Sequence, residues 1–337
     1  MQSIPKTLFA LAIVTLGLLA HAPPAGAATL LENDELTVEL NGLGEVGLDY
    51  ESSDAHPTEG VGTDLRLARL KTDARLRDWG GFKLQVDARS GTVELLDLLV
   101  DITPTEWLTV RAGRFKVPVS REFLIGAPDM RFTNRALAGQ IAPGRAVGLQ
   151  LLAEHTFGET DAELSTGLFE PGGLELLQDD GELLVSRLLL EFPHHLEFHA
   201  AYAEHILSDN RVPIPEDPSQ TRRVFPDDRQ LDAALGFHDQ RWHLLLEGLT
   251  ALDSPDERLP LAAHASLAYR APIDTVDLEP ALAYDLLDRS HHRIHRAAAA
   301  LNIYWLDTDL MTTVEYEAEI ESPHVTHTAS LLLQAGF

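Results

Sequence analysis

The stretch ELTVELNGLGEVGLD, residues 35–49, decides the reading of the whole chain. Leu36, Val38, Leu40, Val46 and Leu48 fall on alternate positions, with Glu35, Thr37, Glu39, Asn41, Glu45 and Asp49 between them. A strand turns successive side chains to opposite faces, so this segment has one apolar face and one wet, charged face. The alternation recurs down the chain. Phe82, Leu84, Val86 and Ala88 oppose Lys83, Gln85, Asp87 and Arg89, and Leu196, Phe198, Ala200 and Tyr202 oppose His195, Glu197 and His199. Val276, Leu278, Leu282 and Tyr284 oppose Asp277, Glu279 and Asp285; Val314, Tyr316, Ala318 and Ile320 oppose Thr313, Glu315, Glu317 and Glu319.

Working outward from that pattern, sixteen strands are expected, near 35–50, 63–77, 81–90, 93–102, 107–117, 145–156, 161–169, 182–192, 195–206, 229–238, 241–251, 260–270, 275–287, 293–306, 310–321 and 327–337. Residues 64–77 switch face near Ala68, which predicts a β-bulge. Residues 93–102 and 182–192 are apolar on both faces in places. Connections after even-numbered strands are tight, as in Asp78-Trp79-Gly80, Phe157-Gly158-Glu159 and Asp307-Thr308-Asp309. Those after odd-numbered strands are mostly longer and more polar, as in 51–62, 118–144, 170–181 and 207–228. Short turns on one side and long loops on the other are the habit of outer-membrane barrels.

The expected fold is therefore all-β: a transmembrane antiparallel up-and-down barrel of about sixteen strands. Lipid offers no hydrogen bonds, so a spanning sheet must close on itself and leave no edge. Its outer face must be apolar, while a barrel this wide holds an aqueous lumen that tolerates charge. A soluble β-sandwich also alternates, but it points its apolar face inward.

The N-terminus reads as an export signal. Lys6 precedes the apolar run LFALAIVTLGLLA (8–20), and Ala25-Gly26-Ala27 suits cleavage after Ala27. The expected division is thus 1–27 signal peptide and 28–337 barrel. The apolar run is short for a helical span, and no second one qualifies. The chain has no Cys, which removes disulfides and thiolate chemistry. A net charge of −27 argues against nucleic acid as a partner.

Two stretches resemble known barrel families. The chain ends on Phe337, with Ala335, Leu333, Leu331 and Ala329 on the same face, which resembles the barrel-assembly signal of Gram-negative outer-membrane proteins. The block RAGRFKVPVSREFLIGAPDMRFTNRALA (111–138) resembles the phosphate-selective porin O and P family, whose pattern runs roughly G-x-F-K-x-P-F-x-x-E before a fold-back segment. Gly113 to Glu122 carry the match, with Val119 where the family often has an aromatic. Arg69-Leu70-Lys71, Phe82 to Asp87, Glu279 to Asp285 and Leu301 to Trp305 look like that family's strands. The resemblance implies a sixteen-stranded porin, usually a trimer, passing small solutes. It also implies that 118–144 is a third loop folded inward to narrow the lumen.

Candidate channel residues follow from charge. Between Asp64 and Arg145 there are 14 Lys and Arg against 10 Asp and Glu, in an otherwise strongly acidic chain. The pore-lining and constriction candidates are Arg69, Lys71, Arg75, Arg77, Lys83, Arg89, Arg111, Arg114, Lys116, Arg121, Glu122, Arg131 and Arg135. Phe123, Leu124, Ile125, Met130 and Phe132 could pack the loop on the wall. Basic rings prefer anions. Lumen-facing Glu39, Glu45, Glu279, Glu315, Glu317 and Glu319 leave open a non-selective or cation-preferring pore. His194-His195 and His291-His292 to His295 fall in expected turns and are read as solvated, so no metal and no cofactor is expected. A barrel phospholipase or protease is a rival, but no local motif marks a nucleophile. Expected partners are outer-membrane lipid and lipopolysaccharide, the barrel-assembly machinery, small ions or solutes and two further copies of the chain.

Overall fold

The computed structural model describes residues 27–54, 60–77, 79–89, 92–170, 182–206, 211–214, 217–223, 229–252, 259–289, 292–306 and 308–336. Residues 1–26, nearly all of the expected signal peptide 1–27, and Phe337 lie outside them. The strands are β1 (Ala28–Glu32), β2 (Thr37–Ser53), β3 (Gly60–Leu76), β4 (Gly80–Arg89), β5 (Thr92–Thr105), β6 (Leu108–Lys116), β7 (Arg145–Phe157), β8 (Thr160–Glu170), β9 (Leu183–Phe192) and β10 (Leu196–His205). They continue with β11 (Arg211–Ile214), β12 (Asp217–Arg223), β13 (Arg229–His238), β14 (Trp242–Ala251), β15 (Leu261–Tyr269), β16 (Ala271–Ile273), β17 (Val276–Arg289), β18 (His292–Trp305), β19 (Leu310–Glu321) and β20 (His324–Gly336).

Each main strand pairs antiparallel with its neighbour, and β20 returns to β2 from Leu43↔Gly336 to Ser53↔Thr326. The sheet is thereby a closed barrel of sixteen staves, β16 prolonging β15 against β17. All sixteen expected strands are present in the expected order. Two elements were not foreseen. β1 pairs with β2 from Ala28↔Leu40 to Glu32↔Thr37, just beyond the end of β20, and so completes the closing stave. β11 and β12 form a separate hairpin within the connection from β10 to β13. The second His cluster also differs from expectation. His292 and His295 belong to β18, because the expected loop is only the short junction between β17 and β18; His291 is outside the described residues.

The two irregular stretches are bulges. Pairing of β2 with β3 passes from Glu45↔Leu67 to Val46↔Leu65, so Arg66 is the extra residue, close to the face switch expected at Ala68. Pairing of β4 with β5 passes from Gln85↔Asp97 to Val86↔Leu95, leaving Leu96 extra. That bulge is why 93–102 looks apolar on both faces.

The distribution of polarity is inverted relative to a soluble protein. Leu149, Leu164, Leu235 and Leu282 are 53, 56, 56 and 61 % exposed, while Glu247, Glu279 and Glu315 are 5, 3 and 3 % exposed. Aliphatic side chains therefore cover the outside and carboxylates the inside. Exposed Trp79, Trp107, Phe157, Phe192 and Trp242 gather at the short-turn end, with Tyr50, Tyr284 and Tyr316 toward the other. Aromatic bands at both edges of an apolar belt mark where a bilayer's interfaces would lie.

Candidate functional site

The longest fully described connection, 117–144, leaves β6 and returns in β7. Its two ends are apolar. Val117, Val119, Leu137, Ala138 and Ile141 are at most 1 % exposed and pack with Phe115, Phe169, Leu183, Val185, Ala201, Ala203, Leu249, Ala262 and Leu287. These wall residues explain why 182–192 is apolar on both faces: one face meets the outside, the other meets this cluster. Burying the side chains of Val117, Val119, Leu137 and Ile141 contributes roughly 1.5–3 kcal/mol each as an upper bound.

The middle of the segment is held by polar bonds. Ser120 caps a one-turn helix, α1 (Arg121–Leu124), accepting from the Phe123 N–H at 3.1 Å. The same hydroxyl donates to Glu247 Oε1 at 2.6 Å, and the Glu122 N–H donates to Glu247 Oε2 at 2.8 Å. Arg121 forms a two-pronged pair with Glu197. Further along, the Thr133 N–H and hydroxyl donate to the two oxygens of Glu315 at 2.7 and 2.8 Å. Asn134 Nδ2 donates to Glu317 at 3.4 Å, and Arg131 Nε lies 3.5 Å from Glu279. Asn302 donates to the Arg131 carbonyl at 3.1 Å, and Arg296, itself paired with Asp285, donates to the Arg135 carbonyl. Glu197, Glu247, Glu279, Glu315 and Glu317, on β10, β14, β17 and β19, are thus engaged by one connection, while Asp285 of β17 meets His264 and Arg296.

Two groups within the segment carry electrostatic strain. Burial pushes the Glu122 carboxyl above its ordinary range, against the opposing pull of Arg135, whose NH1 lies 3.8 Å away. Glu122 Oε2 has no hydrogen-bond partner among the described residues. The Arg121 guanidinium is shifted up by its hydrogen bond to Glu197, whereas burial shifts Arg135 down.

Two sizeable cavities remain beside the segment. One, of about 930 Å³, opens toward the short turns. Its charged lining is Arg69, Lys71, Lys83, Arg111, Lys116, Arg145, Arg187 and Arg270 against Asp97, Asp129, Glu154, Glu163 and Asp309, so cations outnumber acids. The other, of about 420 Å³, is lined by Glu45, Asp64, Arg66, Arg69, Thr133, Asn134 and Arg135 among others. Both cavities touch Arg69, Ala127, Met311 and Gln334, which places a neck there. Beside it Ala127 and Met130 pack on Leu43 and Leu67.

Of the thirteen charged candidates, Arg69, Lys71, Lys83, Arg111 and Lys116 line the larger cavity and Arg69 and Arg135 the smaller. Glu122 and Arg131 border a void of about 40 Å³ between segment and wall. Arg121 faces the wall as an anchor. Arg114 Nε donates to the Leu95 carbonyl at 3.2 Å, so its charge is spent on backbone. Arg77 sits in a short turn and donates to the Asp34 carbonyl, away from both cavities. Arg75 lies on β3 toward the same end and lines neither cavity; the Arg89 side chain is outside the described residues. The wall packing expected of Phe123, Leu124 and Ile125 is done by Val117, Val119, Leu137 and Ile141, because Phe123 lies between Lys116 and Arg135 as a cation–π partner. Met130 and Phe132 do pack on the wall, Phe132 against Ala268, Ala281 and Ala300. Sequence reading missed Arg66, Arg145, Arg187 and Arg270. Arg187 is legible from strand parity, whereas Arg66 needs the bulge.

The barrel is wide, apolar outside and polar inside, with one long connection bound to its inner wall. No protein-family model matches the chain, and no curated protein sequence matches it. Among solved structures it is similar to an anion-selective porin from Comamonas acidovorans, with a TM-score of 0.63 at 12 % identity over 90 % of this chain and 100 % of that one. It is similar also to the outer membrane channel DcaP of Acinetobacter baumannii, with a TM-score of 0.60 at 10 % identity over 92 % and 100 % of the two chains. OmpF of Salmonella typhi, solved in complex with daunomycin, gives a TM-score of 0.63 at 11 % identity over 91 % and 99 %. At identities of 10–12 %, the overlap shows a common fold alone.

Proposed function

We propose that this protein is an outer-membrane porin, exported by its leader, through which small hydrophilic solutes and ions diffuse passively, with a preference for anions. The observation that carries the reading is the 930 Å³ cavity, polar and predominantly cationic, inside a barrel whose outside is apolar. Segment 117–144 is the constriction, the short turns face the periplasm and the long connections face outward. Three copies assemble as a trimer amid lipopolysaccharide, with Phe337 serving the assembly machinery. The Gly113–Glu122 block supports kinship with the phosphate-selective porin O and P family. The role is transport without catalysis. Glu45 and Asp64, set among Arg66, Arg69 and Arg135, give the smaller cavity a mixed charge, which is the observation behind the rival reading, a general pore of weak selectivity.

Purified protein in a planar bilayer should show discrete conductance steps, and its reversal potential in a KCl gradient should report chloride preference. Lys83 has no ion pair among the described residues, whereas Lys71 lies 2.7 Å from Asp73. Lys83→Glu should therefore reduce chloride preference more than Lys71→Glu. Absence of conductance removes the channel reading; a potassium preference removes the anion reading alone.

A further inference from the structure

The acidity of this chain conflicts with an anion pathway unless most inward carboxylates are kept from it. They are distributed unevenly. Glu197, Glu247, Glu279, Glu315 and Glu317 stand on β10, β14, β17 and β19 and are between 3 and 9 % exposed. Every one of them bonds or pairs with a residue of 117–144. The cationic side chains of the larger cavity stand mainly on the opposite strands, where Lys71 is 37 % and Arg111 29 % exposed.

We propose that segment 117–144 sets the sign of the pore's selectivity by masking: it covers the acidic half of the wall and leaves the basic half as the surface that ions meet. This rests on the reading of the protein as a channel. The usual way for a constriction loop to act would be through its own charges. Here its backbone donors matter as much, because the N–H groups of Glu122 and Thr133 take up oxygens of Glu247 and Glu315 by charge-assisted hydrogen bonds without placing a cation in the bore. The segment's donors compensate each covered carboxylate at contact distance, and its thickness holds a passing ion farther off, where distance and dissolved salt weaken the attraction.

The direct test shortens the segment. Residues 121–136 are replaced by a short Gly-Ser linker, which retains the apolar ends at Val117, Val119, Leu137 and Ile141. The chloride-to-potassium permeability ratio should fall by about threefold or more. Adding Glu247→Gln, Glu279→Gln and Glu315→Gln to the shortened chain should bring it back up. An unchanged or increased ratio on shortening overturns the proposal. If the intact chain itself prefers potassium, the anion reading fails, yet the direction of change still decides the masking.

A second measurement does not need the shortened chain to fold. The sequence contains no Cys, so single-Cys labelling is clean. In otherwise intact protein, Glu279→Cys should react with a cationic methanethiosulfonate at least about tenfold more slowly than Lys83→Cys, because only the former is shielded. Equal rates at the two positions would show that the acidic wall is open to water, and the proposal fails.

Discussion

Gly113 shows what one residue contributes to this wall. Its φ is +130°, and a Cβ there would sit 2.1 Å from the Leu98 carbonyl oxygen. A side chain at Gly113 is therefore excluded twice, by backbone conformation and by the neighbouring strand. Gly113→Ala should cost about 1–3 kcal/mol of barrel stability, read as a lower urea midpoint for unfolding in detergent micelles. Glu122 gives a pH dependence. Its carboxyl is raised in the folded state, so its contribution to stability is complete below the ordinary value of 4.5 and is lost as pH climbs through the raised one. Glu122→Gln should remove that slope. The variant should match wild type in acid and exceed it in mildly alkaline buffer, measured by thermal unfolding; equal slopes in the two proteins would show that Glu122 is not the group responsible.

At the scale of the element, the connection 117–144 is fastened by two different forces. Its ends are held by apolar burial, which is non-directional and resists single polar changes. Its middle is held by directional bonds to buried carboxylates, which lose much when one partner goes. Arg121→Ala leaves Glu197, only 4 % exposed, without its cation. The loss should be about 2–3 kcal/mol, below the range for a fully enclosed pair because Arg121 is itself 26 % exposed and its removal leaves a gap that water fills. The expected readout is larger and noisier single-channel conductance, with the barrel still folded on a heat-modifiability gel. That the segment would be special was legible from its length, its prolines and the Gly113–Glu122 block. Which residues fasten it was not, because the partners of Ser120, Thr133 and Asn134 lie 127, 182 and 183 positions away in the sequence.

For the whole molecule, the decisive property is which face meets which solvent. Leu149 lies on the outer face of β7 and is 53 % exposed. In a membrane Leu149→Arg should destabilise the barrel by about 2–4 kcal/mol if it lies near the mid-plane, whereas an exposed position on a soluble protein would hardly respond. Folding assays into lipid vesicles distinguish these outcomes. The closing stave is also a property of the whole. β1 and β20 share the edge of β2, so residues near both ends of the described chain complete one seam.

Sequence by itself determined the number and order of the sixteen staves, the tight-turn and long-loop ends, and the polarity of each face, because period-two alternation is written locally in every strand. The basic stretch from β3 to β7 was equally visible. Tertiary structure decided how that charge is used. Only closure brings Glu247 and Glu315 against a connection that leaves the wall at β6, and only the bulge at Arg66 turns that side chain inward. The physical reason is that a strand's pattern specifies which side of the sheet a residue occupies, while its partner across the bore depends on curvature and closure, which no local spacing encodes.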